Sequence, residues 1–359
     1  MNSIHLGWSP FFEDQLAPGD RSRYSVGRIL EERRNCYVLL NEDGREVLAS
    51  LAGKLQYKAS GRGELPSVGD WACASVRAEE GRATIHRVLE RRTKISRKGA
   101  GSVIDEQVLA ANVDNVLLVN PLNQDLNPRR IERYLALVWE SGARPVLLLT
   151  KADLCDEWAE AVAEIERVAP FVPVHVVSAL QGGGLDALAV YLGPGQTSVL
   201  LGSSGVGKST LVNRMLGEER QEVRNIRSQD DRGRHTTTSR HLLFLPGGGM
   251  VIDTPGLREL QLWIADDGLG QTFRDVEEAA TLCRFTDCGH SAGIPGCSVQ
   301  AAIESGALSP DRVASWFKVG RELACLARKQ DKKAQSEWKK RWKAIALADR
   351  KRYDPEGNP

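Results

Sequence analysis

The sequence predicts a multidomain chain: a small N-terminal β-barrel, a central α/β domain built around a phosphate-binding loop, and a C-terminal, mainly helical segment that holds a metal. Three observations predict it. Short apolar-alternating runs separated by turns fill residues 24–90, strand and helix patterns then alternate to about residue 256, and beyond Trp263 a cysteine cluster gives way to a basic helical tail. With 359 residues the chain exceeds what one hydrophobic core organises, and 42% apolar with 26% charged residues is the balance of a globular, water-soluble protein.

Residues 1–22 contain Pro10, Pro18 and Gly19 and show no clear period, so a flexible arm is expected there. The opening stretch MNSIHLGWSPFFEDQL has neither a basic leader nor a long apolar core, and the chain has no run of about eighteen apolar residues. A cytoplasmic, monomeric protein with no membrane partner is the expectation.

Residues 23–99 supply the barrel. The runs YSVGRILEE, CYVLLN, EVLASLAG, DWACASV and ATIHRVLE read as five strands, with turns at Asn41–Gly44, Pro66–Asp70 and Glu80–Gly81. Loops of such barrels commonly grip oligonucleotides, and this one carries Lys54, Lys58 and Arg62, then Arg91, Arg92, Lys94, Arg97 and Lys98. At the other end, Lys318 to Arg352 holds thirteen Lys or Arg against four Asp or Glu, with Trp316, Trp338 and Trp342 nearby. Net charge is only +1, so the basic character is local, and two basic modules flanking a switch predict an RNA partner.

Residues 100–263 alternate between strands and helices. VDNVLLVN, ARPVLLLTKADL, VPVHVVSA, QTSVLLG, HLLFLP and MVIDTPG read as strands, and PRRIERYLALVWESG, DEWAEAVAEIERVAP and the segment after GSSGVGKST as helices. The pattern is that of a doubly wound parallel sheet.

The stretch from Gly202 through Ser203, Ser204, Gly205, Val206, Gly207, Lys208 and Ser209 to Thr210 fits the P-loop signature, between a strand and a helix. Its glycines let backbone amides turn toward phosphates at a helix N-terminus. Lys208 is expected to bridge the β- and γ-phosphates and Ser209 to bind Mg²⁺. Asp253-Thr254-Pro255-Gly256 ends a strand about fifty residues later, where Asp253 can reach Mg²⁺ through water and Gly256 can offer an amide to the γ-phosphate. Between them lies GRHTTTSR, with Thr237 favoured over Thr236 and Thr238 as a further Mg²⁺ ligand.

Thr150-Lys151-Ala152-Asp153 caps the strand PVLLL. A carboxylate at Asp153 can accept from both N1–H and the exocyclic amine of guanine, which adenine cannot offer, and Lys151 can cover the base plane. Ser178-Ala179 ends VPVHVV and supplies an amide for the guanine O6. Guanine recognition thus precedes the phosphate loop, so these GTPase motifs stand in circularly permuted order, which leaves the sheet the same in space. The permutation puts the DTPG segment directly before the C-terminal part, residues 264–359.

CRFTDCGHSAGIPGC gives Cys283, Cys288, His290 and Cys297 within fifteen residues. Three thiolates and an imidazole suit one tetrahedral, structural Zn²⁺. The odd total of seven cysteines argues against a disulfide framework.

The order TKAD, SA, GSSGVGKST, HTTT, DTPG, then C-x4-C-x-H-x6-C, preceded by PSVGD in a small barrel, resembles the circularly permuted GTPases called ribosome small subunit-dependent GTPase A, from about residue 25 to 330. The resemblance implies an oligonucleotide-binding (OB) fold for the barrel, a circularly permuted GTPase domain and a zinc domain, with GTP hydrolysis to GDP and phosphate, binding to the small ribosomal subunit and its rRNA, action in late subunit maturation, and stimulation by that subunit. It lays guanine recognition on Thr150 to Asp153, the phosphate loop on Gly202 to Thr210 and the zinc ligands on Cys283, Cys288, His290 and Cys297. Thr150 stands where GTPases usually have asparagine, and its shorter side chain predicts a lost tether to the phosphate loop. Leu257 stands where many GTPases place a water-orienting glutamine, so His235 is the candidate for that role, with Lys208 and Thr237 stabilising charge. A small-molecule kinase would need an acceptor pocket and leave TKAD unexplained; a zinc-containing RNA-binding module with a relic nucleotide site would release no phosphate.

Overall fold

The computed structural model describes residues 6–34, 36–59, 61–98, 106–123, 125–155, 157–203, 205–217, 240–253 and 267–330. Strands β1 (Ser25–Arg33), β2 (Cys36–Asn41), β3 (Glu46–Leu51), β4 (Trp71–Arg77) and β5 (Arg82–Val88) form the expected barrel. Hydrogen-bonded neighbours run β1-β2-β3-β5-β4, and β4 returns to β1, which closes the ring in OB topology. Closure removes the exposed sheet edges that five short strands would otherwise present. Ile29, Leu39, Ala72, Ala74 and Ile85 fill its interior.

The segment expected to be a flexible arm is instead packed over residues 6–23. Short helices α1 (Pro10–Glu13) and α2 (Asp20–Arg23) lead into β1, and Leu6 and Phe12 are buried. Trp8 meets the buried Trp71 edge-on with ring centroids 4.7 Å apart. Aromatic burial outweighs the conformational freedom that Pro10, Pro18 and Gly19 suggest.

A further hairpin, β6 (Lys94–Lys98) with β7 (Glu106–Ala111), straddles the expected division near residue 100. It takes in Lys94, Arg97 and Lys98 of the basic run that follows the barrel. Lys94 pairs with Glu106, Arg92 with Asp114, and Arg91 reaches the fully buried Asp70 at 2.7 Å. Asp70 ends the PSVGD motif, whose Gly69 (φ +92°) leaves room for the Ala111 carbonyl oxygen, 2.1 Å from where a Cβ would stand. Lys54 and Lys58 lie exposed on α3 (Gly53–Lys58).

The central sheet comprises β8 (Asn115–Pro121), β9 (Arg144–Thr150), β10 (Val174–Val176), β11 (Thr197–Leu201), β12 (Arg240–Phe244) and β13 (Met250–Asp253), in the order β10-β9-β8-β11-β13-β12. All neighbouring pairs are parallel except β12 with β13, and β12 also pairs antiparallel with β1, which makes barrel and α/β sheet continuous. Val116 and Leu118 of β8 enter one apolar core while Leu117 and Val119 enter another, as a sheet covered on both faces requires. Helices α4 (Pro128–Ser141), α5 (Ala159–Val168) and α6 (Lys208–Leu216) belong to this part. Asn127 caps α4 by accepting from the Arg130 N–H, and Gly142, in the left-handed region, ends it.

The C-terminal part is helical: α7 (Asp267–Thr272), α8 (Arg274–Thr281), α9 (Ser298–Glu304) and α10 (Pro310–Gln330). Arg312 of α10 fastens it to the central domain, donating to the buried Glu132 of α4 at 3.0 Å and to Asp275 of α8. Arg28 has a similar joining role. It is buried and donates to the carbonyls of Leu6, Gly69 and Asn112 and to the Thr197 hydroxyl at the start of β11; burial pulls its pKa down to about 10. Among the described residues, no helix is long and apolar enough to cross a membrane.

Candidate functional site

Strands β8, β9, β11 and β13 run parallel, so the segments that leave their C-terminal ends emerge on one edge of the sheet. That edge, where neighbouring connections diverge, is the usual binding crevice of a doubly wound sheet. It receives the TKAD turn from β9, the phosphate loop from β11 and Asp253 from β13.

The phosphate loop has the backbone that its glycines foretell. Gly202, Gly205 and Gly207 have φ of +159°, +79° and +99°. A Cβ on Gly202 would lie 2.3 Å from the Val119 carbonyl oxygen, so the loop rests directly on β8. Helix α6 opens at Lys208 with Gly207 as its cap, followed by Ser209 and Thr210 in the first turn. The Lys208 ammonium folds back over the loop, donating to the carbonyls of Gly202 at 2.8 Å and Ser203 at 2.6 Å. A cation and a helix N-terminus thus meet one nest of amides, which suits an anion.

The TKAD segment reaches this loop. Thr150 is buried, and its hydroxyl is shared between the Val206 carbonyl at 2.8 Å and the Asn120 carbonyl at 3.3 Å. The expected loss of a tether is therefore corrected: the close approach of β9 to the loop lets a short hydroxyl span the gap. Lys151 adopts the left-handed conformation (φ +63°), which turns the chain into a 3₁₀ turn over Ala152–Leu154. The Asp153 carboxylate accepts from the Ser178 hydroxyl at 2.6 Å, which joins the two proposed base-contact segments. Ala179 is buried beside it. Asp253 sits at the end of β13, opposite His241 of β12.

Sequence reasoning missed Arg214. It lies on the exposed side of α6 and donates to the carbonyls of Ala179 at 3.0 Å and Leu180 at 2.7 Å. Its partners lie 35 and 34 positions away and are backbone atoms, so no motif announces them. Ser204, His235, Thr236, Thr237, Thr238, Gly256 and Leu257 lie outside the described residues.

In the C-terminal part, the donor atoms of Cys283, Cys288, His290 and Cys297 all lie within 4.8 Å of one another. Cys283 Sγ is 3.5 Å from His290 Nδ1 and 4.0 Å from Cys297 Sγ, and Cys297 Sγ is 3.6 Å from that nitrogen. Tetrahedral zinc with the usual bond lengths sets ligand sulfurs about 3.8 Å apart and sulfur to nitrogen about 3.6 Å apart, so the four residues fit that ion. His290 (φ +51°) is steadied from outside the cluster: Gln300 Nε2 donates to its carbonyl at 2.6 Å, and its ring lies 5.6 Å from that of Trp316.

Over residues 88–263 the chain matches the family described as RsgA GTPase. A relative from Opitutus terrae, named Small ribosomal subunit biogenesis GTPase RsgA, is 45% identical over 366 residues, covering 99% of each chain. One of the same name from Syntrophotalea carbinolica is 43% identical over 353 residues, covering 96% of each. Among solved structures, YjeQ from Thermotoga maritima is similar with a TM-score of 0.64 at 28% identity, over 84% of this chain and 98% of that one. YloQ, described as a circularly permuted GTPase, is similar in fold with a TM-score of 0.60 at 22% identity, over 84% and 96% of the two chains.

Proposed function

The chain belongs to the RsgA GTPase family and is a GTP hydrolase, and from that premise we propose that it acts in late maturation of the small ribosomal subunit, hydrolysing GTP faster when seated there and then leaving. The observation that supports the nucleotide half of this proposal is the Thr150–Val206 hydrogen bond, which joins the TKAD turn to the phosphate loop. The names of the relatives support the subunit as partner.

In this reading Asp153, steadied by Ser178, selects guanine, Lys151 covers the ring and the Ala179 amide meets O6. The amides from Gly202 to Thr210, Ser204 included, cradle the phosphates, with Gly256 at the γ-phosphate. Lys208 swings from its loop carbonyls onto the phosphates, where its charge stabilises the electrons that gather on the leaving oxygens. Ser209 and Thr237 would hold Mg²⁺, with Asp253 reaching it through water, and the ion would supply further positive charge to the phosphates. His235 orients the attacking water, a role Leu257 cannot fill, and docking orders its loop. Zinc, held by Cys283, Cys288, His290 and Cys297, supplies a structural cross-link and no chemistry. Exposed Lys54 and Lys58 and the basic C-terminal segment meet rRNA phosphates, and the protein works as a cytoplasmic monomer divided near residues 100 and 263.

Phosphate release tests this directly, measured in GTP and in ATP, with and without purified small subunits. Slow release in GTP, acceleration by the subunit and no release by Lys208→Ala are expected. Equal rates in ATP, or a subunit with no effect, would overturn the respective half.

A further inference from the structure

Resting on that guanine-binding reading, we propose that Arg214 is a positioning residue for base selection, holding the loop that meets the 6-oxo group of the purine. Three consecutive carbonyls of the loop are engaged. Gly182 N–H donates to that of Ser178 at 2.8 Å, and the Arg214 guanidinium takes the next two, Ala179 at 3.0 Å and Leu180 at 2.7 Å. No hydrogen bond among the described residues uses the Ala179 N–H, although Ala179 is only 8% exposed. A buried amide donor held by its neighbours is set to receive an acceptor from a ligand.

The anchor is informative because of where it starts. Arg214 stands on α6, the helix that begins with Lys208 and Ser209, six positions and about 9 Å earlier along the axis. One helix therefore holds the phosphate end of the site at its first turn and the base end at its last. A planar guanidinium suits the task, since its rigid fork serves two adjacent carbonyls at once, whereas an ammonium is a single point of attachment. Arg214 itself is exposed, and both of its acceptors are backbone carbonyls, so it acts through Ala179.

The test compares the full-length protein with its Arg214→Ala and Arg214→Lys variants by displacement of a fluorescent guanine nucleotide. Three competitors serve: GTP, 6-thio-GTP, which weakens the acceptor at position 6, and ITP, which lacks the 2-amino group read by Asp153. In Arg214→Ala the preference for GTP over 6-thio-GTP should fall about threefold to tenfold, the worth of one hydrogen bond, while the preference over ITP persists. Arg214→Lys should lie between. Thermal unfolding of the variants checks that the fold is kept. Retention of both preferences in Arg214→Ala, or their joint loss, overturns the role given to Arg214. Absence of both in the unaltered protein would instead overturn the guanine-binding reading beneath it.

Discussion

The hydroxyl of Thr150 donates to the carbonyl oxygen of Val206 at 2.8 Å, a bond that spans 56 positions and ties the end of β9 to the phosphate loop. Both segments leave parallel strands with only β8 between them, so the contact follows from sheet order and not from chain order. Replacing Thr150 by valine keeps the shape and removes the donor, leaving a carbonyl unsatisfied beside a buried side chain. The expected cost is about 1–2 kcal/mol in unfolding free energy. Nucleotide affinity should fall several-fold, since the loop must then be ordered by the ligand. Urea unfolding and nucleotide titration check this; an unaltered unfolding curve would mean that the tether contributes nothing.

The Cys₃His cluster predicts one zinc per chain by elemental analysis. Its loss, by strong chelation or in Cys297→Ser, should open the C-terminal part, because three thiolates converging within 4.8 Å have no other cross-link among the described residues. His290 lies 5.6 Å from Trp316, so tryptophan emission should shift on metal removal. GTP binding should survive, since the phosphate loop lies on β8 and β11 and shares no ligand with the cluster. Emission that ignores the chelator would contradict a structural metal.

Arg28→Ala should be among the most destabilising single changes. It strands the carbonyls of Leu6 and Asn112 and the Thr197 hydroxyl, leaves the Gly69 carbonyl to the Asn112 side-chain amide alone, and opens a cavity beneath Trp71, whose ring centroid is 5.6 Å from the guanidinium. Each buried acceptor left without a donor costs about 1–3 kcal/mol, so a loss of roughly 3 kcal/mol or more is expected. Thermal unfolding measures it, and a shift of a degree or less would show that those acceptors find other donors.

These residues mark the line between what the sequence discloses and what it hides. Strand β2 coincides with the run CYVLLN, and the phosphate loop with GSSGVGKST, because local alternation and local glycines determine each. The Cys₃His cluster was equally legible, since its four residues lie within one short segment that brings their donor atoms together. Residues 6–22 were misread because what orders them, Trp71, lies far along the chain. The same holds for Arg91 and Arg92, whose charges look available to RNA until Asp70 and Asp114 are brought beside them. Thr150 and Arg214 speak to backbone carbonyls, which every residue has, so no side-chain pattern could reveal their partners.

Gly268 offers a last test, of how nucleotide state reaches the C-terminal part. It stands in α7, the first described element after the DTPG segment, and approaches α4 so closely that a Cβ would lie 2.1 Å from the Ala136 carbonyl oxygen. The Glu140 carboxylate of α4 also accepts from its N–H at 3.2 Å. Gly268→Ala must therefore lift α7 from α4, whereas Gly270→Ala, with nothing within 4 Å of the added carbon, serves as a control in the same helix. If α7 relays changes at the DTPG segment, Gly268→Ala should keep nucleotide affinity and unstimulated phosphate release while losing most of the acceleration by small subunits. Gly270→Ala should behave as the parent does. Equal stimulation in the two variants would show that α7 plays no part in the relay.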